Sequence, residues 1–277
     1  MSNMLIVGER INTSRKVKGE PVIEKAVVER DAEFIRSLAK TQVESGAHYI
    51  DVNCGTLPTG EPEALEWITK TVQDCVEAPI CFDTPNPAAL ERALGAYDRK
   101  RGQPFINSIT AEKKRYADVL PFVLDTKGKV IALSMDDTGI QQDPAIRHNV
   151  ARKLIADLAE AGVPLADIYI DPMTFPIGSG DDVAVAMLSI IEKLKAEFAG
   201  VQTIAGLSNV SHGMPARKVL NCAMTVLCLG KGLDAGIVDP RDKTLMGLIA
   251  AAEALLGKDE YCSNYIAMAR AGAFEGI

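Results

Sequence analysis

The chain has little of what most metal and redox motifs need. Its 277 residues hold three histidines, one tryptophan and six cysteines. The cysteines (Cys54, Cys75, Cys81, Cys222, Cys228 and Cys262) form no Cys-x-x-Cys pair and no ligand spacing with a histidine, so no metal site is expected. Several sit in apolar runs such as Ile80-Cys81-Phe82 and read as reduced core thiols. No apolar run approaches the roughly 20 residues of a membrane span. The first residues, Met1 to Gly8, have no basic region ahead of an apolar stretch too short for a signal peptide. A soluble cytoplasmic protein with no membrane partner is expected. Basic charge is scarce too: 30 Lys and Arg face 37 Asp and Glu, a net charge of −7. The densest basic run, Arg99-Lys100-Arg101, reads as a solvated helix end, so no nucleic-acid partner is expected. No Gly-x-Gly-x-x-Gly follows the first strand and there is no Walker-type loop, which removes the main support for a dinucleotide site.

What the chain does have is alternation. Short apolar runs begin near Met4, His48, Pro79, Pro104, Val130, Ile168, Thr203 and Ala235. They do not alternate polar with apolar, as expected of parallel strands buried on both faces. Helical patterns lie between them, at about Val22–Ser45, Glu61–Glu77, Pro87–Tyr97, Lys113–Leu124, Pro144–Ala161, Asp182–Phe198, the stretch ending at Leu229, and Lys243–Leu256. Eight strand–helix repeats with no break in composition predict a single-domain (β/α)8 TIM barrel over residues 1–277.

Nearly every strand ends in polar residues: Glu9 and Asn12, Asp51 and Asn53, Asp83, Asn107, Ser134 and Asp136, Asp171, Ser208 and Asn209, Asp239. In a barrel these ends converge on the face that carries active sites. Any one of them could be a turn former or helix cap. Eight together are poorly explained that way, because several, such as Asp83 after Phe82 and Asn107 after Ile106, lie within the strand pattern. Acidic and amide side chains in an apolar cup suit a flat heterocycle with adjacent donors and acceptors. A carboxylate accepts two parallel N–H bonds, and an amide donates and accepts at once. A pterin edge fits that inventory better than a sugar phosphate does.

The motifs Gly8-Glu-Arg-Ile-Asn12, Asp51-Val-Asn-Cys-Gly55, Phe82-Asp-Thr84, Ile106-Asn-Ser108, Tyr169-Ile-Asp-Pro172 and Gly206-Leu-Ser-Asn-Val-Ser211 resemble the pterin-binding methyltransferases. More narrowly they resemble the methyltetrahydrofolate:corrinoid methyltransferases of anaerobic bacteria. The resemblance implies a methyl transfer between nitrogen-5 of tetrahydrofolate and the cobalt of a corrinoid (cobalamin), in either direction. It implies that Asp83, Asn107 and Asp171 hold the pterin edge, that Asp51, Gly206 and Ser208 line the ring, and that Asn53 is a neighbour. Asn209 becomes the catalytic amide at nitrogen-5. His212 stands where relatives carry Gln, and Arg217 matches a family arginine; both become rim residues. The corrinoid, free or on a corrinoid protein, comes from outside the barrel, and a homodimer is implied. The alternatives are a dihydropteroate synthase-like enzyme, which should carry a lysine in the loop after strand seven where Ser208 to His212 stand, and a non-catalytic folate or corrinoid-protein docking module.

Overall fold

A computed structural model describes residues 2–275. Eight parallel strands close into a barrel in sequence order. They are β1 Leu5–Asn12, β2 Tyr49–Asn53, β3 Ile80–Asp83, β4 Phe105–Thr110, β5 Lys129–Leu133, β6 Ile168–Asp171, β7 Gln202–Gly206 and β8 Ala235–Val238. The helices are α1 Val22–Val28, α2 Ala32–Glu44, α3 Glu61–Gln73, α4 Pro87–Ala96, α5 Lys113–Thr126, α6 Pro144–Glu160, α7 Val183–Glu197, α8 Arg217–Gly230, α9 Lys243–Leu255 and α10 Ser263–Arg270. Among the described residues no helix is long and apolar enough to cross a membrane.

The expected barrel is therefore present, with four local differences. The helix expected from Val22 to Ser45 is two helices. Arg30 takes a left-handed conformation (φ 56°), and Asp31 restarts the chain as an N-cap, accepting from Phe34 N–H at 3.1 Å. Apolar periodicity runs through both halves, so it hides the break. Strand β5 stops at Leu133 rather than Asp136, because Asp136 closes a tight turn by accepting from Thr138 N–H and Oγ1. After β7 the residues Leu207–Ser211 form a 3-10 turn. Helix α10 follows where no element was expected.

The barrel interior is filled by one side chain from every strand: Val7, Tyr49, Cys81, Phe105, Ile131, Tyr169, Ile204 and Ala235. Three of these are aromatic. Tyr49 and Phe105 meet edge-on at 5.3 Å between centroids, and Phe105 and Tyr169 at 4.7 Å. This plug gives the site its floor. Side chains alternate faces along a strand, so the residues two further on also point inward. They are Glu9, Asp51, Asp83, Asn107, Leu133, Asp171, Gly206 and Ile237. They form a ring one layer above the plug, toward the C-terminal ends of the strands.

Candidate active site

Five of the eight ring positions carry a carboxyl or an amide. Strand register sets their neighbours: Asp83 lies beside Asn107, and Asp171 beside Leu133. Asp51 is fully buried, and among the described residues its Oδ1 has no hydrogen-bond partner. Burial, and secondly the charge of Asp83, push its carboxyl well above the usual carboxylate range. Asp83 is half-buried and also raised by burial; the Asn53 amide and then the Arg115 charge pull it part of the way back. Asn53 Nδ2 donates to Asp83 Oδ2 at 2.8 Å, and Gly55 N–H donates to the Asn53 side-chain Oδ1 at 2.9 Å.

Asp171 lies on the opposite wall. Burial pushes its carboxyl up to about 7, against the opposing pull of the Met173 N–H and of Arg147. Met173 N–H reaches Asp171 Oδ1 at 2.7 Å. Ser134 Oγ donates to the Asp171 carbonyl at 2.9 Å and ties the end of β5 to β6.

The β7 segment closes the ring. At Gly206 an added methyl would lie 3.3 Å from Asn209 Nδ2, so the amide occupies space that a glycine leaves open. Asn209 is exposed at the mouth. Arg217 Nε donates to Ser211 Oγ at 3.0 Å and its Nη2 to the Ser208 carbonyl at 2.9 Å. Arg217 thus holds the shape of the turn that presents Asn209, a role its sequence position did not suggest. Ser208 Oγ lies a long 3.4 Å from Glu9 Oε2. His212 is exposed and closes the turn through its backbone N–H to the Asn209 carbonyl at 3.0 Å.

The structure also sorts the remaining polar strand ends. Asn12 and Asp136 are turn formers, Asn12 Oδ1 accepting from Ser14 N–H at 2.9 Å. Asp239 pairs with Arg10 at 3.3 Å and Arg241 at 3.1 Å on the rim. Glu9 belongs to the ring and was missed as a site residue. It pairs with Arg15, and burial outweighs that charge and raises its carboxyl. The period-two count from Val7 would have found it. Cys54 is buried with its thiol pushed up to about 12, so it is a wall residue and no nucleophile. Among the other cysteines Cys262 is exposed, so it is no core thiol.

The barrel mouth thus presents carboxyls and amides over an apolar plug, a lining chemically suited to a flat, hydrogen-bonding heterocycle. Comparison with known proteins gives that class its name. The pterin binding enzyme family model matches residues 8–239, and the chain belongs to that family. It is 32% identical over 271 residues to a methylcorrinoid:tetrahydrofolate methyltransferase of Eubacterium limosum, covering 97% of each chain. It is also 28% identical over 249 residues to the methionine synthase of Mycobacterium tuberculosis, spanning 86% of this chain but 20% of that much longer protein. Among solved structures, the dihydropteroate synthase of Xanthomonas albilineans superposes with a TM-score of 0.68 at 20% identity, over 92% of this chain and 94% of that one. The enzyme of Yersinia pestis gives 0.66 at 16%, over 92% and 94%. These last two likenesses show the fold.

Proposed function

We propose that the protein transfers a methyl group between nitrogen-5 of tetrahydrofolate and a corrinoid, in one barrel domain acting in the cytoplasm. The observation that carries this is the ring itself: acid and amide groups from five strands in one layer of the barrel, with Asp51 and Asp171 buried, under the exposed amide of Asn209. A pterin supplies the donors and acceptors that those groups lack. Asp83, Asn107 and Asp171 hold its amino-oxo edge. Asp51, Asn53, Gly206 and Ser208 line the ring. The near-full-length likeness to a methylcorrinoid:tetrahydrofolate methyltransferase supports folate and a corrinoid as the two substrates.

Chemically, the protein's task is modest. Reduced corrinoid cobalt is already a strong nucleophile, so the chain need not activate one. The folate nitrogen is a poor leaving group, and a hydrogen bond to it must strengthen in the transition state. Asn209 supplies that bond from the mouth, while the ring fixes the distance and direction of approach. An amide cannot give up a proton at neutral pH, so the proton comes from solvent. The reverse transfer uses the same groups. The corrinoid docks at the open mouth beside Asn209, His212 and Arg217, free or on a corrinoid protein.

A homodimer is part of the proposal. Helices α8 and α9 leave an open apolar groove of about 640 Å³ lined by Val219, Cys222, Val226, Leu227 and Leu248. Val219 and Leu227 are 68% and 54% exposed, an arrangement that suits a second copy.

The test is incubation with methylcobalamin and tetrahydrofolate, and separately with reduced cobalamin and methyltetrahydrofolate, followed by the corrinoid absorbance. Interconversion of the two corrinoid spectra in either mixture is expected. No spectral change in both, with folate bound, would leave a docking module and reject the transferase.

A further inference from the structure

Arg147 is the largest fully buried side chain among the described residues, yet it makes no ion pair there. It sits in the first turn of α6, behind the β6 exit. Its Nη1 donates to the carbonyls of Pro172 at 2.8 Å and Met173 at 3.1 Å, and its Nη2 to that of Gln142 at 3.4 Å. The guanidinium lies 4.8 Å from the centre of the Phe175 ring. Its Nε is buried with no hydrogen-bond partner among the described residues. Burying a cation with no carboxylate in direct contact is unfavourable, and burial lowers the affinity of this guanidinium for its proton against the opposing pull of Asp143, Asp171 and Asp182. A neutral side chain could fill the space at less cost, so the cation itself needs a reason.

The turn it grips supplies one. Met173 is held in the left-handed region (φ 67°), which a side chain other than glycine adopts at a cost. That conformation aims Met173 N–H at Asp171 Oδ1, 2.7 Å away. One carboxyl oxygen is thereby taken, and the other is left for a ligand. The same guanidinium lies close enough to favour the charged form of Asp171. We propose that Arg147 is a positioning residue of the folate site, clamping the turn after β6 so that Asp171 meets the pterin in one orientation and with its negative charge. This rests on the reading of Asp171 as a pterin ligand.

The other titratable groups facing the pair are Asp143, the N-cap of α6, Asp182 at the start of α7, and Cys228 of α8. Among the described residues none of them hydrogen-bonds to the Asp171 carboxyl, and Arg147 is the cation that favours its ionised form.

The experiment measures tetrahydrofolate affinity against pH by fluorescence for the wild type, Asp171→Asn, Arg147→Lys and Arg147→Gln. Asp171→Asn should abolish most of the affinity and its pH dependence; normal binding there would reject the reading of Asp171 and not the clamp. Arg147→Gln loses both fork and charge, so it should move the midpoint of the pH profile up by about one unit and add, to a severalfold fall at every pH, a loss of about fivefold at neutral pH that alkaline buffer recovers. Arg147→Lys keeps the charge and loses the fork, so its midpoint should stay while affinity falls severalfold at every pH. A midpoint unchanged in Arg147→Gln overturns the proposal, as does a loss of which alkaline buffer recovers no part. Should the glutamine variant not fold, the lysine variant decides alone: affinity equal to the wild type overturns the clamp.

Discussion

Asp171 is buried, takes one backbone hydrogen bond, and enters the neutral pH range half charged, because its carboxyl titrates at about 7. In the unfolded chain the same group titrates near the ordinary value of about 3.9. Between these values the folded state binds more protons than the unfolded state, so this group's contribution to stability falls as pH rises through that window. Asp171→Asn removes the penalty. It should raise the melting temperature at pH 8 and leave it near that of the wild type below pH 4; a lower melting temperature at pH 8 would contradict the assignment. A folate bound at Asp171 as proposed reverses the preference, since its N–H donors favour the carboxylate. Binding at pH 6 should therefore release protons, read as a dependence of the calorimetric enthalpy on buffer ionisation, and affinity should rise from pH 6 to pH 8. Asp51, Asp83, Asn107 and Asp171 were legible in the sequence because each interrupts an apolar run at a strand end. Arg147 and Gln42 were not. They sit on helices, where a polar residue reads as solvated, and only the closed barrel shows that both are buried.

Among the elements, β1 and the turn after β7 carry the most consequence. Strand β1 shifts register between Gly8 and Ile11. There Gln42 of α2 reaches in and accepts from Arg10 N–H at 2.9 Å. A methyl at Gly8 would sit 2.6 Å from the same Gln42 oxygen. Gly8→Ala should destabilise the fold by roughly 1–3 kcal/mol, within the range for overpacking a closed site, as read by denaturant midpoint. The turn after β7 was read as a strand end running into a polar loop. It is a 3-10 turn whose geometry Arg217 maintains. Gly206→Ala should push the Asn209 amide from its place and slow methyl transfer while folate affinity changes less. Equal losses in both would place Gly206 in the binding wall alone. The break between α1 and α2 was hidden because Arg30 is neither glycine nor proline, the usual punctuation of a helix.

At the scale of the molecule, the barrel is a plug with a ring above it. The eight strands were legible because buried parallel strands read as apolar runs. The ring was legible only in part, since counting two residues on from the plug requires knowing which residues form the plug. Phe105 touches two aromatic neighbours in that plug, and Phe105→Ala should cost about 3–5 kcal/mol in stability by denaturant unfolding. The groove on α8 and α9 makes the oligomer testable: Val219→Glu with Leu227→Glu should yield a monomer by light scattering, if the wild type is the dimer proposed. The most direct measurement follows the whole reaction in a single turnover. Methyltetrahydrofolate at saturation is mixed with reduced cobalamin, and the rate of corrinoid methylation is compared between the wild type and Asn209→Ala. Loss of one preorganised donor predicts a rate about 10²–10³-fold lower, with folate still bound. A rate within about threefold of the wild type, small beside the effect of one such donor, would contradict the account of how this barrel moves a methyl group.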